Sequence, residues 1–456
     1  MKIEPRRGVI EGFYGRPWTT EQRERMIDLL GEWKLDTFLC SPKDQPSHRV
    51  YWQEPYSEAE LSKLRNLVER GKKVGVDVGT SLSPGLTLEY SNPDHLQSQL
   101  ARVIQLSDLG SPLVGIFLDD IPTTLQTVRD RENFADIVEA QIHFVNGLYQ
   151  KILEAGMELD IIVCPTQYCG IGNEEYISKF GSGLHSDLNL MWTGRQICST
   201  TLTYGDAEIL RQSTGHKPFY WDNYPVNDVA MTYELHIGPL RGRESRVIEN
   251  MSGYLANPME LFESSLIPLR TSANFFKDPE HYDPDSAWQQ AVTELLRGAT
   301  PEEMQAFLHF GRTVQDSCLN GDASPDVSKA LNDAAFKWRT GDGIGAAAIF
   351  ESLAAEISTA SKILCSADFS LSALQKEIMP WVVKYQLGGV VMGEISSVLR
   401  ANLTMADEKS INNAINRVQE LLNMTHANRY RVFGDHLEML LRDLIEEFRW
   451  AKERLH

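Results

Sequence analysis

Two aspartates stand side by side, Asp119 and Asp120, after the apolar run Pro112-Leu-Val-Gly-Ile-Phe-Leu118 and just before Ile121-Pro122. A short unbroken apolar segment suits a strand buried on both faces, and Pro122 helps to stop it. Two acids therefore surface where a buried strand ends. Carboxylates resist burial unless they are paired or put to use, and neighbouring ones push each other's proton affinities apart. A protein thereby obtains one protonated acid and one ionised partner near neutral pH. A solvated turn is the plainer reading of an isolated Asp-Asp, so the surrounding chain has to decide.

The elements that would position this pair alternate regularly from residue 6 to about 270. Short apolar segments at 8–12, 37–41, 74–80, 114–119, 161–165, 188–192, 219–222 and 252–255 read as strands. Amphipathic stretches at 19–33, 57–72, 94–109 and 131–155 read as intervening helices. Thr19-Thr-Glu-Gln and Ser57-Glu-Ala-Glu supply helix-start signals. Eight strands in such alternation predict a (β/α)8 barrel, an α/β fold of about 250 residues; an open doubly wound sheet is the structural alternative. No GxGxxG follows the first strand, and Gly12-Phe-Tyr-Gly15 has the wrong spacing for a phosphate loop.

In such a barrel the chemistry collects at the C-terminal strand ends. Those ends carry Glu11-Gly12-Phe-Tyr14 with Arg16 and Trp18, and Ser41-Pro-Lys43-Asp44 with His48, Arg49 and Trp52. Ser81 to Gly85, then Asp119-Asp120, Cys164 to Gly170 with Tyr168, and Trp192-Thr-Gly194 come next. Trp221-Asp222-Asn223, Asn227-Asp228 and Asn257-Pro258 complete the set. The list holds acids, an ammonium, amides and large aromatics. It contains no paired histidines on a strand and no clustered carboxylate triad, which disfavours a metal site; no serine nucleophile elbow is present either. Aromatic faces beside Asp and Asn hydrogen-bonders suit a sugar, with its apolar ring faces and its belt of hydroxyls. Each residue also has a plain alternative. Trp192 and Trp221 can be core, Asn223 and Asn257 turn residues, Lys43 a surface charge, and Tyr168 a loop closure.

These segments resemble glycoside hydrolase family 84, the O-GlcNAcases and related β-N-acetylglucosaminidases. The resemblance rests on Gly8-Val-Ile-Glu-Gly-Phe-Tyr-Gly-Arg-Pro-Trp18, Ser41-Pro-Lys-Asp with His48-Arg49, Ser83-Pro-Gly-Leu, Asp119-Asp-Ile and Cys164-Pro-Thr-Gln-Tyr-Cys-Gly. It continues through Trp192-Thr-Gly, Trp221-Asp-Asn, Asn227-Asp228, Gly238-Pro-Leu-Arg-Gly-Arg243 and Asn257-Pro, in order over residues 8 to about 275. It implies a catalytic barrel that removes terminal β-linked N-acetylglucosamine, with no cofactor. By position it makes Asp119 the acceptor for the acetamido nitrogen and Asp120 the general acid/base. Gly12 (through its carbonyl), Lys43, Asn223, Asp228 and Asn257 would hold sugar hydroxyls. Tyr168 would place the acetamido group and Trp221 would wall its methyl. Gln45 and Pro122 depart from the family pattern, in which acids are common; both lie beside the site, so they bear on loop detail.

Adjacency carries a mechanistic consequence of its own. Ordinary glycosidases place two carboxylates across the scissile bond, ~5–5.5 Å apart for retention and ~6.5–9.5 Å for inversion. Neighbours on one strand end approach the sugar from one region and do not flank it. Substrate-assisted enzymes instead use the sugar's 2-acetamido oxygen as nucleophile. Two other functional readings remain open at this point: an endo-acting, hyaluronidase-like or chitinase-like hydrolase, and a sugar-binding barrel without catalysis.

After about residue 280, past His281-Tyr-Asp-Pro-Asp-Ser, the texture changes. Strand signals largely vanish, and helices are expected at 285–297, 301–320, 326–339, 344–366, 370–405, 408–422 and 434–455. The expected organisation is therefore a catalytic barrel over 1–280 and a helical bundle domain over 281–456. The bundle has no motif that carries chemistry, and its apolar stripes suit internal packing as well as a protein-interaction or homodimer surface. A net charge of −19 argues against nucleic acid or anionic membrane as partner, leaving a glycoprotein, glycopeptide or glycoside. Six scattered cysteines without zinc-site spacing suggest free thiols. With no apolar leader or spanning segment in view, a cytoplasmic enzyme is the expectation.

Overall fold

A computed structural model describes residues 5–321, 325–402 and 407–453. Eight parallel strands close into a barrel in chain order. They are β1 (Arg6–Glu11), β2 (Thr37–Cys40), β3 (Asp77–Leu82), β4 (Leu113–Phe117), β5 (Asp160–Cys164), β6 (Asn189–Trp192), β7 (Pro218–Asp222) and β8 (Gly253–Ala256). Pairing of β1 with β8, with Arg6 opposite Gly253, shuts the cylinder and excludes the open doubly wound sheet. Between the strands run helices such as Thr20–Trp33, Glu58–Val74, Pro93–Asp108, Ile137–Glu154 and Tyr204–Thr214.

Local chemistry explains the element boundaries. Thr19 and Ser57 cap their helices in reciprocal capping boxes, as their sequences announce. The helix that begins at Glu58 runs on to Val74, so β3 starts at Asp77 rather than at 74. Gly75 makes this possible by taking a left-handed C-cap with φ 76°. The helix expected over 131–155 is two helices, Val128–Asn133 and Ile137–Glu154, because Asp136 caps a new start by accepting from the Glu139 N–H. Strand β4 ends at Phe117, but the ladder continues one step further: the Leu118 N–H donates to the Cys164 carbonyl at 2.8 Å. That bond aims the chain that carries Asp119 and Asp120.

The barrel interior is packed rather than hollow. Ile10, Leu39, Leu113, Phe117, Ile162, Cys164, Met191, Phe219, Trp221 and Leu255 form one buried cluster, with Tyr168 resting on it. At the N-terminal mouth Arg6 bonds Asp77 at 2.7 Å and Asp160 at 2.5 Å, which ties β1 to β3 and β5.

The chain divides into two compact units. The first holds residues up to Asp228, Leu240–Phe262 and Leu269–Tyr282; the second holds Val229–Pro239, Glu263–Pro268 and the residues from Asp283 onward. Helices of the second unit are Pro284–Leu295, Pro301–Thr313, Pro325–Arg339, Gly343–Leu364, Ser372–Ala401, Glu408–Ala427 and His436–Glu453. The stretch expected as one helix over 301–320 stops at Thr313, and a short antiparallel bridge joins Ser317 to Asn320. The helix expected to end at 422 continues to Ala427. Met405 and Leu455, the expected ends of two helices, lie outside the described residues, as do residues 1–4 of the barrel segment. Among the described residues no helix is long and apolar enough to cross a membrane.

Candidate active site

Asp119 is 6% exposed and Asp120 is exposed, so the pair divides at once between a buried and an open carboxylate. Asp120 has φ 54°, the left-handed region that a non-glycine residue enters at a cost and that aspartate tolerates better than most. The turn points the two neighbours differently, and such strain gathers at functional sites.

The ammonium of Lys43 donates to Asp119 Oδ2. Lys43 is itself only 4% exposed, so it is not a surface charge. Its Nζ lies 5.0 Å from the centre of the Trp221 ring and 5.8 Å from that of Phe117, a cation over two aromatic faces. The other oxygen, Asp119 Oδ1, is enclosed and meets no donor among the described residues. A buried acceptor left unpaired carries a desolvation cost of about 1–3 kcal/mol, so this oxygen is poised for a partner.

A second set of bonds fixes the far side of the site. The Gly12 N–H donates to Asn257 Oδ1 at 3.1 Å, and Asn257 Nδ2 donates to Asn223 Oδ1 at 2.9 Å. Trp221 Nε1 reaches the same Asn223 oxygen at 3.0 Å, while Asn223 Nδ2 donates to the Ile197 carbonyl at 2.8 Å. Gly12 has to be glycine: a Cβ there would stand 2.4 Å from Cζ2 of Trp221. Trp221 thus belongs to the core and the site at once, whereas Trp192, 1% exposed and packed near Tyr220, is core. Asp228 accepts from the Tyr14 N–H at 2.7 Å, and burial holds its carboxyl above the usual range. The phenol of Tyr168 donates to Asp120 Oδ1 at 3.0 Å. All nine residues singled out by the motifs lie in one connected neighbourhood: Gly12, Lys43, Asp119, Asp120, Tyr168, Trp221, Asn223, Asp228 and Asn257.

Other strand-end residues turn out to be supports. Buried Glu11 takes two bonds from Arg23 and one from the Trp18 N–H. The His48 ring faces the hydroxyls of Ser41, Ser81 and Ser83 at 3.0–3.2 Å. Burial, with Lys43, Arg49 and Arg102 nearby, keeps His48 well below the usual histidine range and therefore neutral. Tyr14 and Arg49 are the contacts that motif reading leaves without a role. Tyr14 donates to Asp120 Oδ2 at 2.7 Å, and Arg49 touches both of them. Their position in the Gly-Phe-Tyr-Gly and His-Arg segments was the available signal.

A family model described as beta-N-acetylglucosaminidase matches residues 7–310. The chain belongs to that family. The resemblance to glycoside hydrolase family 84 is thereby borne out, as is the barrel followed by a helical region. Protein O-GlcNAcase of Rattus norvegicus and that of Mus musculus are each 32% identical to this β-N-acetylglucosaminidase family member over 276 residues, 59% of its length and 30% of theirs. The chain thus spans less than a third of the length of these curated relatives. A mutant of the Thermobaculum terrenum O-GlcNAc hydrolase superposes with a TM-score of 0.90 at 28% identity, covering 99% of this chain and 96% of that one. CpGH84B, at 23% identity, shares the fold with a TM-score of 0.82 over 97% of this chain and 77% of its own.

Proposed function

We propose that the chain is an exo-acting β-N-acetylglucosaminidase of the O-GlcNAcase type, working with retention through the substrate's own acetamide. The observation that carries this reading is the divided aspartate pair. Asp119 has one oxygen held by Lys43 and one without a donor, and Asp120 stands open at the rim beside it. Asp119 accepts the acetamido N–H; the soft terminal torsion of an aspartate lets its carboxylate turn to meet the substrate. The acetamido oxygen, so oriented, attacks the anomeric carbon as the bond to the aglycone breaks, and Asp120 gives its proton to the departing oxygen. An oxazoline results. Water then attacks the anomeric carbon, Asp120 takes its proton, the ring carbon–oxygen bond of the oxazoline opens, and N-acetylglucosamine leaves with its configuration retained. Holding nucleophile and electrophile in one molecule supplies the proximity term.

Gly12, Lys43, Asn223, Asp228 and Asn257 hold the sugar hydroxyls in this reading. Tyr168 and Trp221 bound the acetamido pocket. A pocket closed at one end by Asp228 and Asn257 would favour removal of terminal residues, and an open groove would favour endo action. The substrate is a β-linked N-acetylglucosaminide on Ser or Thr of a protein or peptide, or a simpler glycoside. The relatives named for O-GlcNAc hydrolysis support that class. The reading is tested by release of N-acetylglucosamine from an aryl β-glycoside, with and without an oxazoline-mimicking thiazoline. Hydrolysis that the thiazoline blocks is expected; no hydrolysis at all would leave a sugar-binding barrel.

The remaining assignments belong to the same proposal. In this reading the catalytic barrel is 1–280 and the helical bundle is 281–456, with the bundle joining two copies. Six free cysteines suit the reducing cytoplasm. Light scattering on the full chain decides the homodimer, since a monomer mass rules it out.

A further inference from the structure

The reading of Asp120 as acid/base leaves open which of its oxygens carries the proton, and the bonds around it bear on that. Arg49 Nη1 donates to the Tyr14 hydroxyl oxygen at 2.7 Å, and Arg49 Nη2 donates to the main-chain carbonyl of Asp120 at 3.2 Å. A guanidinium has only donors. The Tyr14 oxygen is therefore an acceptor toward Arg49, and its one hydrogen goes to Asp120 Oδ2, 2.7 Å away. Burial, and then the bond to Asp120, raise the Tyr14 phenol far above its ordinary range, so the hydrogen stays in place. The direction Arg49 to Tyr14 to Asp120 follows from the chemistry of the guanidinium.

Tyr168 differs. Its hydroxyl stands 3.0 Å from Asp120 Oδ1, and among the described residues no second group bonds it to fix which way it points. That hydroxyl can donate to an ionised Asp120 or turn to accept from a protonated one. Asp120 Oδ2 has less freedom: a proton on the lone pair that faces Tyr14 would meet the phenol hydrogen head-on, and one on its other lone pair would weaken this oxygen as the acceptor for Tyr14. We propose that Arg49 and Tyr14 are positioning residues that reserve Asp120 Oδ2 as a permanent acceptor, so that Oδ1, beside Tyr168, is the oxygen that gives the proton to the leaving group and later takes it from water. Arg49 has a second part in this: its bond to the Asp120 carbonyl braces the left-handed turn that presents the carboxyl.

The inference rests on the functional reading above, and the test separates the two. The wild-type chain is first assayed for retaining release of N-acetylglucosamine; its failure there overturns the reading, whatever the variants do. With that in hand, Tyr14→Phe, Arg49→Met and the double variant are compared on a methylumbelliferyl or alkyl glycoside and on a dinitrophenyl glycoside. An acid whose proton is misplaced harms poor leaving groups most. Each single variant is expected to lose at least about tenfold more kcat on the poor leaving group than on the activated one, with KM little changed. Because Arg49 acts through Tyr14 and the adjoining turn, the double variant is expected to be no slower than Arg49→Met alone. Equal losses on both glycosides, or singles that simply multiply in the double variant, would overturn the assignment. Thermal melts accompany the series; a variant that melts early yet keeps the leaving-group split still supports it, since misfolding alone lowers both substrates alike.

Discussion

The ends of β4 and β7 each carry a buried aspartate, and the surroundings treat them differently. Asp222, at the end of β7, is 1% exposed and has both oxygens filled. Arg243 grips it with Nε at 2.8 Å and Nη2 at 2.5 Å, and the Tyr254 phenol donates to it as well. Asp119, just past β4, has Lys43 on one oxygen and, among the described residues, no donor on the other. Residue type and location are nearly the same; the bond count is not. A carboxylate with every acceptor filled is a brace, because nothing is left for a ligand to join. A carboxylate with an open acceptor next to a strained, exposed neighbour keeps an oxygen that a ligand's donor can fill.

That contrast can be broken or sharpened by substitution. The largest effect belongs to the open end. Asp120→Ala should lower kcat by about 10²–10⁴-fold on a poor leaving group and much less on dinitrophenyl glycosides. Equal loss on both would remove Asp120 as the acid. Asp119→Asn comes next, with ~10²–10³-fold lost in kcat because the acetamide is no longer oriented and charge-stabilised. The melting temperature should fall only modestly, since asparagine keeps the shape of the side chain and its amide oxygen can still accept from Lys43. Asp222→Asn should do the reverse. It strands Arg243, which cannot deprotonate, at a cost of about 3–5 kcal/mol in stability, while the fraction that remains folded keeps most of its kcat. Chemical denaturation beside active-site titration reads both quantities; an Asp222 variant that is stable but inactive would erase the distinction between the two ends.

Two smaller effects refine it. Gly12→Ala pushes a methyl against Trp221, and Trp221 has to shift because Gly12 is backbone. A rise in KM of about tenfold is expected, near 1.4 kcal/mol of lost sugar binding, with stability changed less. His48 gives the smallest effect. The fold holds its pKa below that of the unfolded chain, so unfolded chains bind the extra proton as pH falls below the usual histidine range. Stability should decline toward acid through this group and be insensitive to it above neutral pH. His48→Gln should flatten part of that decline in melts recorded from pH 7 to 5.

Much of this site was legible in the sequence because its signals are local. A continuous apolar run that ends in two acids needs only the strand period and the cost of charge burial to stand out. Capping at Thr19 and Ser57 and the alternation of strands and helices gave the barrel in the same way. What stayed hidden depends on contacts between distant segments or on single backbone angles. Gly75 extends a helix by two residues past its expected end, and Asp136 splits one helix in two, because either residue type also fits an uninterrupted pattern. The left-handed turn at Asp120 has no sequence mark, since aspartate is not glycine. The bracket of Arg49 on Tyr14 and Asp120 spans separations of 35 and 71 residues, and periodicity says nothing about partners that far apart. The unequal filling of Asp119 and Asp222 was invisible for the same reason: each is an acid at a strand end until its neighbours are known.

The central claim is that the open acceptor of Asp119 steers the substrate's own acetamide as nucleophile. Its most direct test is kcat/KM for one aryl β-glycoside whose N-acyl group runs from acetyl through mono- and difluoroacetyl to trifluoroacetyl. Fluorine drains electron density from the attacking oxygen, so the rate is expected to fall steeply with each substitution. A flat series would contradict the account, because a protein nucleophile would not feel the change.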